Sequence, residues 1–355
     1  MGKHFASLLK KQPPWFSLAG EDLDIILGTM VRMVRNVAGH RFPGWSTAEG
    51  RRTVAEMLVP AVLNLPGNKA SAFHAELKDL SYTERRVLLE RKQISQCLAA
   101  RQDGCHLIIN GKQDTVFMIN EEEHLVTHLF SHFRTADDLI KKARKISATL
   151  EKQIPFARSS SGEYLTSMPI EAGTGLQLYT LLHLPILNST GMMQQISRGL
   201  EKLMLHISPL YPNLPDDSSN LFVVFTPPIL QGAEEDMLDH MNQTCLVLEA
   251  RELQVREKLD SHTQSNVLIP DMVGRARGLC EYAHRMEYGE YLHVLSMLRM
   301  GSIEGLVTNT AHTTYDYIDS LAQFYLHGAP YHIQYLTKKA GIDADCYRMA
   351  LCRQL

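Results

Sequence analysis

The sequence has no apolar run near the roughly 20 residues needed to cross a bilayer, which excludes a predicted membrane helix. Its beginning also lacks the sustained apolar core and small-residue cleavage site of a signal peptide. An excess of one charge is missing too. The net charge is −3 and the pI is about 6.6, so the overall field attracts neither nucleic acid nor an anionic membrane. These absences predict a cytoplasmic protein that binds neither.

Cysteines are few and scattered, and no two of the six are spaced as Cys-x-x-Cys. This argues against a disulfide framework or a structural zinc site and favours buried, reduced thiols. Low-complexity tracts and internal repeats are also missing. With 355 residues, 45% apolar and 21% charged, the chain has the composition of a soluble globular protein. Its length predicts two domains, or one large domain with an appendage.

The first part of the chain carries strand and helix signals. Residues 105–120 form two β-rich runs around an Asn-Gly pair, which predicts a hairpin. The next stretch, 120–133, starts with Asn120 as a candidate N-cap and has Glu123 at the third helical position. This spacing predicts a helix over 120–133.

The composition changes near residue 251, where a charged and then polar stretch begins. Before it, Ser81 and Glu84 predict a capping box at a helix start, and residues 220–228 and 242–250 are predicted strands. From Val267 onward the apolar spacing is helical. The sequence therefore predicts a first domain over 1–255, a linker over 256–266 and an all-helical domain over 267–355.

Five segments form an ordered set of motifs along nearly the whole chain. They are DIILGTMVRMVRNVAGHRFP (24–43), ERRVLLERKQIS (84–95), INEEEHL (119–125), GEYLTSMPIEAGTGLQ (162–177) and LRMGSIEGLV (298–307). Each alone is a weak signal. In this order and spacing, they resemble the ATP:guanido phosphotransferases and, within that family, the bacterial protein-arginine kinases.

The resemblance implies an α+β fold. A guanido-kinase-type phosphotransferase domain, an antiparallel sheet flanked by helices, would be followed by an all-helical domain. The implied reaction transfers the γ-phosphoryl group of Mg-ATP to an arginine guanidinium on a protein. The helical domain is implied to mediate a homodimer and to bind phosphoarginine. The expected partners are therefore protein arginine or phosphoarginine clients and a second copy of the chain.

The cationic positions that the resemblance implies are largely replaced. Four arginine positions of the family carry neutral residues here, namely Met30, Val126, Gln177 and Ser208. The cations that remain as a remnant nucleotide site are Arg32, Arg35 and Lys92. Phosphoryl transfer depends on positive charge around the phosphates, and one lost donor costs about 3–4 kcal/mol of transition-state stabilisation.

The guanidinium side of the implied site is partly kept. Glu121 and Glu122 match the catalytic acids of the family, and a carboxylate pair can clamp a guanidinium and act as general base. The helix dipole would also favour acids in a first turn, so both explanations stay open. The reactive cysteine of the family is Met168 here, which cannot ionise. The loop keeps the residues that its backbone shape requires, Gly173, Thr174 and Gly175.

We interpret the chain as a pseudokinase or regulatory binding protein with no nucleotide cofactor. The alternative is an active protein-arginine kinase with a rebuilt nucleotide site. There, Mg-ATP would be held by Arg32, Arg35 and Lys92, and Glu122 would be the base. A third interpretation is a structural dimer that has only kept the fold.

Two smaller clusters have competing explanations. Asp345 and Arg348 match half of the phosphoarginine-binding motif that the resemblance implies, and they equally suit an i, i+3 charge pair on a terminal helix. His124, His128 and His132 recur every four residues of the predicted helix. Three histidines so spaced on one straight helix span too far for one tetrahedral ion, so no metal site is predicted.

Overall fold

The computed structural model divides the chain into two compact units. The described residues are 2–16, 25–69, 71–101, 103–132, 136–214, 219–261, 267–307, 321, 323–337 and 342–355. The first unit comprises Met1–Pro14, Thr29–Tyr179 and Thr226–Met241; the second comprises Trp15–Gly28, Thr180–Phe225 and Asn242–Leu355. The boundaries of these units differ from those of the domains predicted over 1–255 and 267–355. The predicted domain boundaries stay a prediction.

Eight strands form one antiparallel sheet in the order β2-β3-β4-β5-β1-β6-β8-β7. They are β1 (Ile26–Arg35), β2 (Phe73–Glu76), β3 (His106–Ile109), β4 (Thr115–Ile119), β5 (Leu125–Ser131), β6 (Leu176–His183), β7 (His206–Pro209) and β8 (Leu221–Phe225). The central strands are rich in aliphatic and β-branched residues, and every residue of β4 is buried. Such strands stabilise the sheet by burial on both faces.

Helices flank the sheet, and they contain most of the described residues after 234. They are α1 (Gly2–Leu8), α2 (Ala48–Leu63), α3 (Tyr82–Glu90), α4 (Gln96–Ala100), α5 (Asp137–Glu151), α6 (Pro185–Ser189), α7 (Met193–Lys202), α8 (Glu234–Ser261), α9 (Leu268–Tyr282), α10 (Tyr288–Ile303), α11 (Pro330–Thr337) and α12 (Ala344–Cys352). The α3 start has the predicted Ser81–Glu84 capping box. Within the described ranges, none of the helices is long and apolar enough to cross a membrane.

The hairpin predicted over 105–120 is confirmed as β3 and β4, but the helix predicted over 120–133 is wrong. Asn120 has a positive φ of 58°, and its amide donates to the His124 carbonyl at 2.9 Å. Residues 120–124 therefore form a tight turn, and β5 returns antiparallel to β4. The β-branched and aromatic residues of 125–131 favour this strand over the helix that the N-cap pattern indicated.

The strand predicted over 242–250 is also wrong, because these residues lie inside α8. Buried positions recur at Met241, Cys245, Leu248 and Glu252, with the three- and four-residue spacing of a helix. The short apolar run Cys-Leu-Val-Leu does not distinguish a strand from a helix by itself.

In the first unit, one face of the sheet is covered by α2 and α5. The buried cluster there includes Leu58 of α2, Leu150 of α5, Phe117 of β4 and Leu125 of β5. Side chains alternate along a strand, so every second residue of the same strands lies on the opposite face. The opposite face carries the candidate site.

Candidate functional site

Arg32 is the cation at the centre of this opposite face. It lies across from His128 in the β1–β5 register. Its Nη1 donates to Oε1 of Gln177 on β6 at 2.9 Å, and the Tyr179 hydroxyl donates to the same oxygen at 3.3 Å. The Gln177 side chain therefore accepts two hydrogen bonds at a position where the family resemblance implies an arginine.

The other positions at which the resemblance implies an arginine are neutral as well. Met30 and Val126 are buried, and Val126 lies between Val34 and Met118 in the strand registers. Ser208 lies on β7 in the second unit. Burial, together with the charge of Arg32, lowers the pKa of His128 to about 3, so this imidazole is neutral at pH 7.

Arg35 faces the other side of β1, three residues after Arg32. Its Nε donates to the Ser147 hydroxyl at 2.8 Å, and its Nη1 donates to the Thr174 carbonyl at 2.9 Å. The guanidinium carbon lies 3.4 Å from the Tyr164 ring centre. Burial lowers the pKa of Arg35 to about 10. These contacts tie Arg35 to the loop backbone, and its predicted role in nucleotide binding stays a prediction.

The two glycines that flank Thr174, Gly173 and Gly175, lie too close to neighbouring atoms to carry a Cβ. A Cβ on Gly175, which has a φ of 66°, would lie 2.6 Å from Arg35 Nη1 and 2.7 Å from the Val34 carbonyl oxygen. The Thr174 hydroxyl donates to the Ile229 carbonyl at 2.7 Å. Backbone geometry alone thus explains why the loop keeps these residues.

Three consecutive glutamates follow Asn120, and each has a different environment. Glu121 is buried and accepts hydrogen bonds from the Ser95 hydroxyl and, at 2.6 Å, from the Glu122 amide. Glu122 is exposed to solvent. The two predicted catalytic acids therefore differ: Glu121 is used internally, whereas the Glu122 carboxylate is available to a ligand.

Glu123 is the carboxylate that sequence reasoning placed only in a helix cap. It is buried and accepts from Asn36 Nδ2 at 2.6 Å, from the Ser167 amide at 2.9 Å and from the Ser167 hydroxyl at 2.8 Å. Burial raises its pKa despite these donors. Glu123 thereby anchors the loop that contains Met168. The sequence signal that could have indicated this role is the β-branched and aromatic run of 125–131. A strand there, instead of a helix, makes Glu123 part of the turn between β4 and β5.

His124 anchors the segment on the other side of the glutamates. Its Nδ1 accepts from the Val37 amide at 3.0 Å, and its Nε2 donates to the Arg41 carbonyl at 2.9 Å. Burial lowers its pKa to about 4, so it is neutral at pH 7. His124, His128 and His132 belong to a turn, a strand and its end rather than to one helix. Over the part of the chain that the structure describes, no group of three ligands could hold a metal ion.

Lys92 follows α3 in a left-handed conformation with a φ of 57°. Burial lowers its pKa to about 8. Three residues later, Ser95 donates to Glu121. The segment with Lys92 is therefore connected to the glutamates.

Met168 and its neighbours form the exposed part of the loop. Met168 precedes a short 3-10 helix, Pro169–Glu171, and its side chain projects into solvent. The side chain of Ile170 is also exposed. The position at which the family resemblance implies a reactive cysteine thus carries the exposed apolar side chain of Met168.

In the second unit, Asp345 and Arg348 of α12 are paired at 2.8 Å. Arg348 is buried, and its guanidinium also donates to the Gly328 carbonyl at 2.8 Å and the Met286 carbonyl at 3.3 Å. Asp345 lies 3.1 Å from the exposed Arg285. Arg348 thus joins segments of the helical region, and its predicted phosphoarginine contact is untested.

Comparison with known sequences identifies a family. The sequence model of the "ATP:guanido phosphotransferase, C-terminal catalytic domain" matches residues 53–254. A protein-arginine kinase of Shouchella clausii is 28% identical over 311 residues, which cover 87% of this chain and 86% of that protein. A protein-arginine kinase of Moorella thermoacetica is 26% identical over 354 residues, 98% of each chain.

Solved structures share the fold at lower identity. A lombricine kinase has a TM-score of 0.57 at 16% identity, covering 70% of this chain and 71% of that one. The duplicated taurocyamine kinase of Schistosoma mansoni has a TM-score of 0.59 at 18% identity, covering 81% of this chain and 40% of that one. The shared architecture is that of a guanidino kinase.

Proposed function

The chain belongs to the ATP:guanido phosphotransferase family, and we propose that it acts as a regulatory guanidinium-binding protein of the protein-arginine kinase type with strongly impaired phosphoryl transfer. The observation that carries this proposal is the hydrogen bond from Arg32 to Gln177. This bond pairs the Arg32 guanidinium, the central cation of the sheet face, with a neutral side chain of the same protein. The replaced positions of the same face, Met30 and Val126, supply no compensating charge.

The proposal of impaired phosphoryl transfer is supported by the small number of cations on the sheet face with Arg32. Phosphoryl transfer has little covalent chemistry for the protein to perform, so its rate depends on preorganised positive charge. Each missing donor costs about 3–4 kcal/mol of transition-state stabilisation, although such losses are not additive. We therefore propose that this chain transfers a phosphoryl group slowly or not at all.

The guanidinium side is better supported. Glu122 presents a carboxylate to solvent beside the anchored Glu123, and a carboxylate accepts two parallel hydrogen bonds from a guanidinium. Because Glu123 already accepts from Asn36 and Ser167, the neighbouring backbone is fixed. Preorganisation of this kind reduces the entropy that binding costs.

A second candidate function is active protein-arginine kinase. It is favoured by the name of the curated relatives and by Lys92, a half-buried amine that can meet a phosphate as a point charge. In this alternative, Arg32, Arg35 and Lys92 would hold Mg-ATP, and Glu122 would be the base. Transfer of labelled phosphate from ATP to an arginine peptide would favour it over the regulatory function.

The partners follow from the same proposal. They are arginine or phosphoarginine segments of client proteins in the cytoplasm and a second copy of the chain as a homodimer. The proposed phosphoarginine contact consists of the half-buried Asp345 and the exposed Arg285 beside it. Sedimentation equilibrium tests the dimer, and a single monomeric species at micromolar concentration would contradict it.

The test of guanidinium binding compares two ligands and two proteins. N-acetyl-arginine amide and N-acetyl-lysine amide are titrated into the natural protein and into Glu122→Gln. We expect arginine to bind and lysine to bind more weakly, because an ammonium cannot form the bidentate pair. Glu122→Gln should lose about tenfold in arginine affinity. Equal binding of both ligands, or no effect of Glu122→Gln, would contradict the proposal.

A further inference from the structure

Two histidines meet at the edge of the sheet in the first unit. His74 lies on β2 and His106 lies on β3, and the Nε2 atom of His74 is 3.3 Å from the Nδ1 atom of His106. The two rings are stacked, with centroids 5.4 Å apart. Two imidazole nitrogens therefore face each other, and a single proton lies between them when both rings are neutral.

The strand register explains why the two imidazoles meet. Glu76 pairs with His106, and His74 pairs with Ile108, so the two histidines are diagonal neighbours on one face of the β2–β3 ladder. Diagonal neighbours are within reach of each other when their side chains are long or aromatic. β2 is an outermost strand of the sheet, and His74 is exposed whereas His106 is half-buried. The paired backbones thus hold the two rings together at a place that solvent reaches.

The spacing of the two nitrogens matches that of two ligands on one metal ion. Imidazole nitrogens bind Zn²⁺ at about 2.0–2.1 Å, so two of them at a tetrahedral angle are about 3.3–3.4 Å apart. The ion lies to one side of the line between the nitrogens, so binding requires each ring to turn by up to about 35°. The exposed position of His74 leaves room for such a turn.

Both imidazoles are in the charge state that binds a metal. Burial lowers the pKa of His74 and that of His106 below the ordinary value, so both rings are neutral at pH 7. The ring that donates the hydrogen bond would carry its proton on its other nitrogen, and both facing nitrogens would then present lone pairs. Glu76 is not counted as a ligand, because its carboxylate already accepts from Lys78 at 2.7 Å and from the Gly104 amide at 2.9 Å.

An open cleft beside His106 leaves space for the rest of the coordination shell. It has a volume of about 380 Å³ and lies between α2 and the β2–β3 edge. Its charged lining is balanced, with Arg52 and Lys78 against Glu56 and Glu76. The described residues contain no group of three that could hold a metal ion, so water would complete the shell. Such a site is more open than a structural zinc site, which has four protein ligands.

We propose that His74 and His106 bind a divalent first-row transition metal, such as Zn²⁺, Ni²⁺ or Cu²⁺, at the β2–β3 edge. Imidazole is a preferred ligand of these ions, whereas Mg²⁺ and Ca²⁺ take oxygen ligands. The ion joins the outermost strand to its neighbour by a link in addition to the backbone hydrogen bonds, so metal binding stabilises the folded state. The proposal is separate from the proposed function, because it uses neither Glu122 nor Arg32.

Calorimetric titration of the untagged protein with Zn²⁺, Ni²⁺ and Mg²⁺, without nucleotide, tests the site. We expect Zn²⁺ and Ni²⁺ to bind and Mg²⁺ to give no heat. His74→Gln and His106→Gln should each weaken the strongest Ni²⁺ site at least about tenfold, because one imidazole remains. His206→Gln is the matched control, because His206 is an exposed histidine on β7 in the second unit. It should bind Ni²⁺ as tightly as the natural protein.

Protection from acylation locates the ion in the natural protein. Diethyl pyrocarbonate acylates accessible imidazole nitrogens, and a nitrogen that is bound to a metal does not react. Peptide mass mapping should show that Zn²⁺ slows acylation of His74 and His106 about fivefold when about four fifths of the sites are filled. Acylation of His206 should not change. This measurement stays decisive if a variant of the pair fails to fold.

Three results would overturn the proposal. The first is equal Ni²⁺ affinity in the natural protein, His74→Gln and His106→Gln, and the second is unchanged acylation of both histidines with Zn²⁺. In either case, the pair is only a hydrogen bond between two strands. The third is an equal loss of affinity in His206→Gln, which would show unspecific coordination by surface histidines. Guanidinium binding is measured with other ligands and by Glu122→Gln, so its outcome is independent of these.

Discussion

On the acidic side of the candidate site, Glu123 accepts three hydrogen bonds and fixes a loop, whereas on the cationic side Arg32 donates to the neutral Gln177. The Glu123 carboxylate therefore fixes the backbone beside the exposed Glu122. The Arg32 guanidinium is hydrogen-bonded within the protein, with the buried Met30 and Val126 on the same face. Under the proposed function, this difference belongs to a site that recognises arginine better than it holds phosphate.

Removing the anchor of the acidic side should have the largest effect. Glu123→Ala leaves the part-buried amide of Ser167 and one buried donor of Asn36 without their partner, which we expect to cost about 3 kcal/mol in the free energy of unfolding. Glu122→Ala, one residue earlier and exposed, should change stability by less than about 0.5 kcal/mol. Urea unfolding of both variants checks the difference. Equal losses would show that Glu123 is not the anchor.

The close packing of the loop should give the next largest effect. Gly175→Ala puts a Cβ 2.6 Å from Arg35 Nη1 at a positive φ, so we expect a loss of about 2.5 kcal/mol. Gly39→Ala is the control, because Gly39 has a φ of 77° and no atom within 4 Å of the added Cβ. It should lose only the conformational cost, about 1 kcal/mol. Thermal unfolding measures both, and similar losses would contradict the packing argument.

Acid should weaken the anchor made by His124. Its folded pKa of about 4 lies below the ordinary value of 6.5, so the unfolded chain binds the extra proton more readily. Stability falls as the pH drops below 6.5 and stops falling near pH 4. The His124 contribution should be about 2 kcal/mol smaller at pH 5 than at pH 8.

The measurement is the difference in unfolding free energy between the natural protein and His124→Gln at each pH. Glu123 titrates in both proteins, so its contribution largely cancels in the difference. Parallel pH profiles would mean that the imidazole of His124 does not carry this dependence.

Adding charge to the cationic side should have the smallest effect. Gln177→Arg removes the acceptor of Arg32 and adds a guanidinium to the open sheet face. We expect Gln177→Arg to bind Mg-ADP weakly but measurably by calorimetry, whereas the natural protein gives no saturable heat, since one phosphate contact is gained. Gln153→Arg is the control for added charge, because Gln153 is exposed in the first unit and outside the described site. An equal gain in both variants would attribute the effect to net charge rather than to the site.

The fold could be predicted because the motifs, in their order, resemble one family. The hairpin could be predicted from the Asn-Gly pair at 110 and 111, because a turn signal is local. The same local signals failed at Asn120. An N-cap pattern and a hairpin turn both use Asn, and only the pairing of β5 with β4 and β1 decides between them. The prediction of a strand over 242–250 was wrong for a similar reason. The helical spacing of the buried residues becomes visible only over the whole length of α8.

The site was predictable at the level of residue types but not of environments. Glu121, Glu122 and Glu123 are chemically alike in sequence, and tertiary hydrogen bonds from Ser95, Asn36 and Ser167 make them differ. The tie between Arg35 and the Thr174 carbonyl spans 139 positions of sequence, so no local pattern indicates it.

The central claim is that the cationic side no longer supports nucleotide binding. Calorimetric titration of the natural protein with Mg-ADP and Mg-ATP, continued to saturating nucleotide, tests it most directly. We predict no saturable heat and no increase in unfolding temperature with either nucleotide. Tight, saturable binding of Mg-ATP would contradict the account and favour the active protein-arginine kinase.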